Sequence, residues 1–224
     1  MMELIIVSIG ALAKHAIWGE KIAMRTSHAT TTLIKTGDKN ILIDPSLPAQ
    51  ALAARLEERS GLKPQQITHV FLTNWRPVHR RAIELFGSAQ WLMHEEEIAA
   101  ANAALENAVD IAHRQNQPVD DIITNEQALL KRVQAAPDEL ADGVDLFPLT
   151  GYTPGQCGLL IAEPTLTTII AGDAVPTAAH FSAGQVFGDC YDLAKAKESL
   201  SELYEVADMI VPGHDNIFLA RRSG

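Results

Sequence analysis

The sequence is short of cysteine, of basic residues relative to acidic ones, and of any long apolar run. Its 224 residues contain two cysteines, Cys157 and Cys190. They form neither a metal-ligand spacing nor a disulfide framework, and a reducing, cytoplasmic setting is the simpler expectation. Lys and Arg number 18 against 28 Asp and Glu, a formal net charge of −10. That balance argues against a nucleic-acid surface, which needs clustered cations, and against attachment to an acidic membrane face. The apolar stretch from Leu4 to Ala13 follows Met-Met-Glu and lacks the basic start of a signal peptide, so it reads as a first core strand. No run of apolar residues is long enough for a membrane span. With 47% hydrophobic and 21% charged residues, and no repeat, low-complexity stretch or linker, the expectation is one globular domain over residues 1–224.

Strand patterns occur at Met2–Ser8, Thr30–Thr36 and Ile41–Asp44, the last two flanking Gly37-Asp38-Lys39-Asn40, a hairpin signal. An Ala/Leu-rich helix from Ala49 to Arg59 is closed by Gly61, and a strand follows at Ile67–Thr73. His79–Phe86 reads as a short helix and Gln90–Met93 as a strand. Glu, Ala, Leu and Asn then recur at helical spacing from Glu95 to Val133, predicting two helices broken near Pro118, the second over Asp121–Val133. Strands return at Val144–Leu149, Gly158–Ala162 and Leu166–Ala171, followed by a helix at Asp192–Val206 and a last strand at Met209–Val211. Two clusters of strands, each followed by helices, predict two packed sheets with helices outside, a four-layer α/β sandwich.

Four segments carry a more specific signal. They are the hairpin ending Ile43-Asp44-Pro45, the stretch Thr73-Asn74-Trp75-Arg76-Pro77-Val78-His79, the loop Thr150-Gly151-Tyr152-Thr153-Pro154-Gly155, and the pair Gly172-Asp173 and Pro212-Gly213-His214. In order and spacing, over roughly residues 30 to 216, they resemble metallo-β-lactamase-like hydrolases. The resemblance implies an αββα fold and a metal site, but in degenerate form. Where that family carries His-x-His-x-Asp-His, this chain has Asn74, Arg76, Val78 and His79, and the histidine of the Thr-Pro-Gly loop is Tyr152. His79, Asp173 and His214 match. The resemblance therefore implies at most one divalent ion, zinc first among the candidates, on His79, Asp173 and His214. The helical segment 95–134 sits where related lactonases and thioesterases carry covering segments, and is expected to cap the pocket or form a homodimer contact.

Two imidazoles and a carboxylate suit a divalent ion with open positions. Arg76 opposes it, since a divalent ion ~5 Å away would be repelled by about 6 kcal/mol at an effective dielectric of ~20. A guanidinium could instead pair with Asp173 and stand in for the lost metal, so that no metal binds. Tyr152 would act as a neutral donor to an oxyanion or as a plug, its ordinary pKa being near ~10. Asn74 and Trp75 flank Arg76 and are candidate substrate contacts, as are His28 and His180 at the rim, although surface placement is the plainer reading for both histidines. His15, His69, His94 and His113 fit surface or core roles. Glu95-Glu96-Glu97 fits a helix start, and Cys157 a small buried residue.

Two functions remain open on these residues. One is a mononuclear hydrolase of an ester, lactone or thioester, with Asp173, Arg76 and Tyr152 catalytic and a substrate with an anionic portion oriented by Arg76. The other is a catalytically inactive relative, a pseudoenzyme, that binds a small anionic ligand through Arg76. A structural partner acting through the helical segment is a third, weaker option.

Overall fold

The computed structural model describes residues 2–220. Twelve strands and five α-helices form among them. The first sheet contains β1 (Glu3–Ser8), β2 (Thr31–Thr36), β3 (Lys39–Ile43), β4 (His69–Leu72), β5 (Gln90–Met93) and β6 (Val133–Ala135), in that spatial order. The second contains β7 (Glu139–Ala141), β8 (Val144–Pro148), β9 (Cys157–Glu163), β10 (Leu166–Gly172), β11 (Met209–Pro212) and β12 (Phe218–Leu219), again in chain order. The helices are α1 (Ala49–Ser60), α2 (Glu95–Arg114), α3 (Asp121–Leu130), α4 (Ala178–Ser182) and α5 (Leu193–Val206).

Side-chain alternation explains why the sheets stack. Along β3, Ile41 and Ile43 point to a core shared with Phe71, Leu159, Ile170 and Val211, while Leu42 points the other way, into a cluster with Leu52 and Leu56 of α1. On β10, Ile170 faces the shared core and Ile169 faces Leu200 and Leu203 of α5. Strands that are apolar on both faces must be covered on both sides. The result is helix, sheet, sheet, helix, the αββα sandwich the sequence pattern predicts.

Two local readings are corrected, and two short strands add to the pattern. His79–Phe86 is not one helix but two short 3-10 turns, Pro77–His79 and Ile83–Phe86. Between them the Ala82 amide donates to the Pro45 carbonyl, which takes it out of any continuous helical ladder. The second helix of the 95–134 segment stops at Leu130, and β-branched Val133 instead starts β6 and pairs with Trp91 of β5. The short β7, with one buried side chain, and the two-residue β12 carry too little pattern to be read from sequence.

Pairs β3–β4 and β10–β11 are parallel, one in each sheet. The loops leaving β3, β4, β10 and β11 begin with Asp44, Thr73, Asp173 and Gly213. Ligand sites of open α/β sheets lie at such carboxyl ends. Gly172 takes φ 52°, and a Cβ there would stand 2.7 Å from Thr73 Oγ1, so glycine lets the two sheets approach at this edge.

Candidate metal centre

Three groups from separate loops meet at that edge: His79 from the turn after β4, Asp173 from the end of β10 and His214 from the loop after β11. One ligand atom of each lies within 4.8 Å of the others, and all three residues are buried. His79 Nε2 is 2.8 Å from Asp173 Oδ2, and His214 Nε2 is 3.0 Å from Asp173 Oδ1.

Each imidazole is oriented from behind. His79 Nδ1 donates to Asp44 Oδ2 at 2.9 Å, and His214 Nδ1 donates to the His28 carbonyl at 2.9 Å. Asp44, at φ 51°, also accepts from the Thr73 amide and hydroxyl at 2.9 and 2.8 Å. Asp44 therefore faces inward, toward the centre. Both imidazoles thus present Nε2 to Asp173, the outer-partner arrangement that fixes the tautomer of metal-binding histidines.

The charges are tightly coupled. Burial opposes a charge on His79, but Asp173 and Asp44 on either side outweigh it and hold its pKa up to about 10. Burial likewise opposes ionisation of Asp173, yet His79 and His214 keep its carboxyl well below the usual range. Asp173 Oδ1 is buried and has no polar partner among the described residues besides His214 Nε2. When His214 is protonated, Nε2 donates to Oδ1; when it is neutral with its ring proton on Nδ1, a lone pair on Nε2 faces a lone pair on Oδ1. A cation between them resolves that conflict, so the donor set fits a divalent ion.

Arg76 does not pair with Asp173, as the metal-free reading required. Its guanidinium lies over the Tyr152 ring, 4.4 Å from the centroid. Asp173 is already surrounded by His79, His214 and the Asn74 amide, whose Nδ2 is 3.4 Å from Oδ2, and the neutral ring offers Arg76 a cation–π seat instead. Asn74 Oδ1 accepts from the Arg76 amide at 3.0 Å, which braces the loop. Tyr152 is buried, and burial together with nearby Asp173 pushes its hydroxyl well above its ordinary pKa, leaving a neutral donor.

The remaining sequence candidates separate. His28 reaches the centre only through its backbone carbonyl, because its ring is turned to the Ile9 and Thr26 carbonyls. His180, expected at the surface, is buried at 4% exposure. Its Nδ1 is 2.8 Å from Thr177 Oγ1, the N-cap of its own short helix, and its ring tilts against Phe187, which also meets Tyr152 and His214. Trp75 is held under the Arg80 guanidinium, 3.9 Å away, and Arg80 in turn pairs with Glu126 of α3. Cys157 is fully buried, and burial pushes its thiol up to about 12, which rules out easy nucleophilic use.

Glu97 had been read only as part of an acidic helix start. It is 3% exposed and accepts from the Trp75 amide, the Thr153 hydroxyl and the Gly155 amide at 2.9, 2.7 and 3.0 Å. It ties the loop leading to His79 to the loop carrying Tyr152. Its spacing from buried Ala101, one helical turn on, is the sequence signal that it faces inward.

Comparison with known proteins agrees with this geometry. The family model described as "Metallo-beta-lactamase superfamily" matches residues 25–214. The chain is 24% identical over 198 residues to metallo-beta-lactamase domain-containing protein 1 of Xenopus laevis, covering 87% of this chain and 74% of that protein. Among solved structures, AidC, a dizinc quorum-quenching lactonase in complex with a product, superposes with a TM-score of 0.65 at 21% identity, over 83% of this chain and 72% of that one. A variant of AiiA from B. thuringiensis, with N-decanoyl-L-homoserine bound at its active site, superposes with a TM-score of 0.66 at 18% identity, over 96% and 92% of the two chains. At such identities the structural likeness speaks for the fold alone. With the family model spanning most of the sequence, the chain belongs to the metallo-beta-lactamase superfamily.

Proposed function

We propose that the protein is a hydrolase of esters, lactones or thioesters that uses a single divalent ion held by His79, Asp173 and His214. The observation that carries this reading is the buried convergence of His79, Asp173 and His214, whose ligand atoms all lie within 4.8 Å of one another. An ion bound there supplies Lewis acidity toward a carbonyl oxygen and activates water for attack.

The chain's own residues set the rest of the chemistry. Asp44 accepts the hydrogen bond from His79 Nδ1 and so keeps Nε2 turned inward. Tyr152, kept neutral by burial and by Asp173, retains its proton for donation to the oxygen on which negative charge develops. Arg76, stacked on the same ring, adds fixed positive charge that favours an acyl oxygen or a product carboxylate. Asn74, at the position of a histidine in the two-metal pattern, donates to Asp173 and orients it. The three matching ligands support one ion, and Asn74 and Arg76 in place of histidines speak against a second.

The competing reading is a metal-free protein that binds a small anion. The protonated His79 between Asp44 and Asp173 favours it, because its positive charge offsets one of the two carboxylate charges without an ion. Metal analysis separates the two. Protein purified without chelator is expected to carry close to one equivalent of a transition metal. Less than about a tenth of an equivalent, with no uptake on adding zinc, removes the hydrolase reading in favour of the anion-binding one.

A further inference from the structure

Arg76 is also one wall of a groove of about 450 Å³. Its other walls are Trp75, the alanines Ala100, Ala101 and Ala104 of α2, Pro154 of the Thr-Pro-Gly loop, and Tyr191. The lining is almost wholly apolar. Ala100 and Ala104 stand one turn apart, and Ala101 joins them on the same face. Methyl side chains there leave open the space that larger residues would fill. The gap is not slack packing, because its two sides are fixed to each other. Glu97 of α2 clamps the Thr-Pro-Gly loop through two hydrogen bonds and the Trp75 amide through a third. Gly155 lies so close that a Cβ would stand 2.0 Å from the Glu97 nitrogen. The Tyr191 amide donates to the Tyr152 carbonyl, which anchors the backbone of an aromatic residue that is 74% exposed.

The charges at the groove are lopsided. Glu97 is the only carboxylate in its lining, and both its oxygens are taken by the clamp. The Arg76 guanidinium has no carboxylate within ion-pair distance among the described residues. Asp189 acts electrostatically on Tyr152 but forms no ion pair with Arg76. An apolar trough with one uncommitted cation complements a chain with an anionic head.

We propose that this groove is the subsite for a straight, medium-length acyl chain, and that Arg76 meets the acyl oxygen or the carboxylate released from it. The substrate class is then an acyl ester, lactone or thioester with an unbranched tail of roughly four to eight carbons, since the alanine face from 100 to 104 runs ~6 Å along the helix. Assignment as a substrate subsite rests on the hydrolytic reading above. The groove's preference for an acyl chain does not.

The test is binding of acetate, butanoate, hexanoate and octanoate to metal-free and zinc-treated protein, read by calorimetry and by Trp75 fluorescence. Affinity is expected to rise at least about twofold per methylene, approaching about fourfold where a methylene is fully buried. Octylamine is expected not to bind. Ala104→Trp fills the trough from an exposed position and should weaken octanoate at least tenfold while sparing acetate. Ala104→Glu should do the same by charge, and provides the second variant if the indole disturbs the helix. Arg76→Gln should weaken every carboxylate while keeping the chain-length slope. Equal affinity for acetate and octanoate overturns the proposal, as does octanoate binding indifferent to both Ala104 variants. A dimer in sedimentation that Ala104→Glu dissociates also overturns it, because a second copy would then cover the groove. Chain-length dependence without metal uptake refutes the hydrolase reading and leaves the groove standing. Metal uptake without chain-length dependence does the reverse.

Discussion

Replacing Asp44 by Asn changes one atom and leaves shape and backbone almost untouched. Asn adopts the left-handed φ of this position more readily than most residues. The amide oxygen can still accept from the Thr73 nitrogen, and the Thr73 hydroxyl can turn to accept from the new NH₂. The conflict falls on His79. Its Nδ1 now donates to a carboxylate oxygen at 2.9 Å. Facing an NH₂ instead, Nδ1 must accept and lose its proton, so the one proton left on the ring is fixed on Nε2, the atom directed at Asp173 and at the ion position. A protonated Nε2 cannot ligate. Loss of such an outer partner costs ten- to a hundredfold in metal affinity, about 1.4 to 2.7 kcal/mol. The assay is zinc competition against a chromophoric chelator at neutral pH, on parent, Asp44→Asn and Thr73→Val. The last removes one hydroxyl bond but keeps the carboxylate, and is expected to shift affinity less than about threefold, near the low end of a neutral hydrogen bond. If Asp44→Asn binds zinc within a factor of two of the parent, the claim that Asp44 sets the His79 tautomer is wrong.

Three further outcomes follow from the geometry. Gly213→Ala would place a Cβ 2.5 Å from Asp173 Oδ1. It should lower stability by about 1–3 kcal/mol through overpacking and abolish zinc uptake, and uptake equal to the parent's would contradict the placement of Asp173. His180 is pushed down to about 4 by burial and by nearby His15 and His214. Its folded pKa lies below the ordinary histidine value of 6.5, so the unfolded chain binds more protons between those values. Stability is complete above about 6.5 and falls as pH drops toward 4, by on the order of 2 kcal/mol after allowance for solvent screening at the rim. Thermal unfolding from pH 4.5 to 7.5 should be flatter for His180→Gln, and parallel curves would count against the buried placement. Cys157 is buried with its thiol near 12, whereas Cys190 is partly exposed. A thiol reagent at pH 8 should therefore label one cysteine in the native protein and both after denaturation; rapid labelling of both in the native state would show the shared core is open.

The sequence by itself determined the layers and brought the site into view. Strands such as β3 and β10, apolar on both faces, can be buried only between a second sheet and a helix, and that follows from composition and period two. Gly172-Asp173 and Pro212-Gly213-His214 were legible through their resemblance to the family's motifs, and the structure adds why glycine stands there, beside Thr73 and beside Asp173 Oδ1. The tertiary structure decided what each polar group faces. Arg76 was legible as a cation near the centre, but its choice of the Tyr152 ring over Asp173 depends on two imidazoles and an amide having already taken that carboxylate. Asp44 and Glu97 looked like a strand end and a helix start, and became an imidazole's partner and a loop clamp only when distant segments closed on them. Backbone preference and apolar period act between near neighbours in the chain and can be read along it. Hydrogen bonds and charge pairs between loops 35 to 186 residues apart have no such local signature, and only the packed edge of the two sheets selects them.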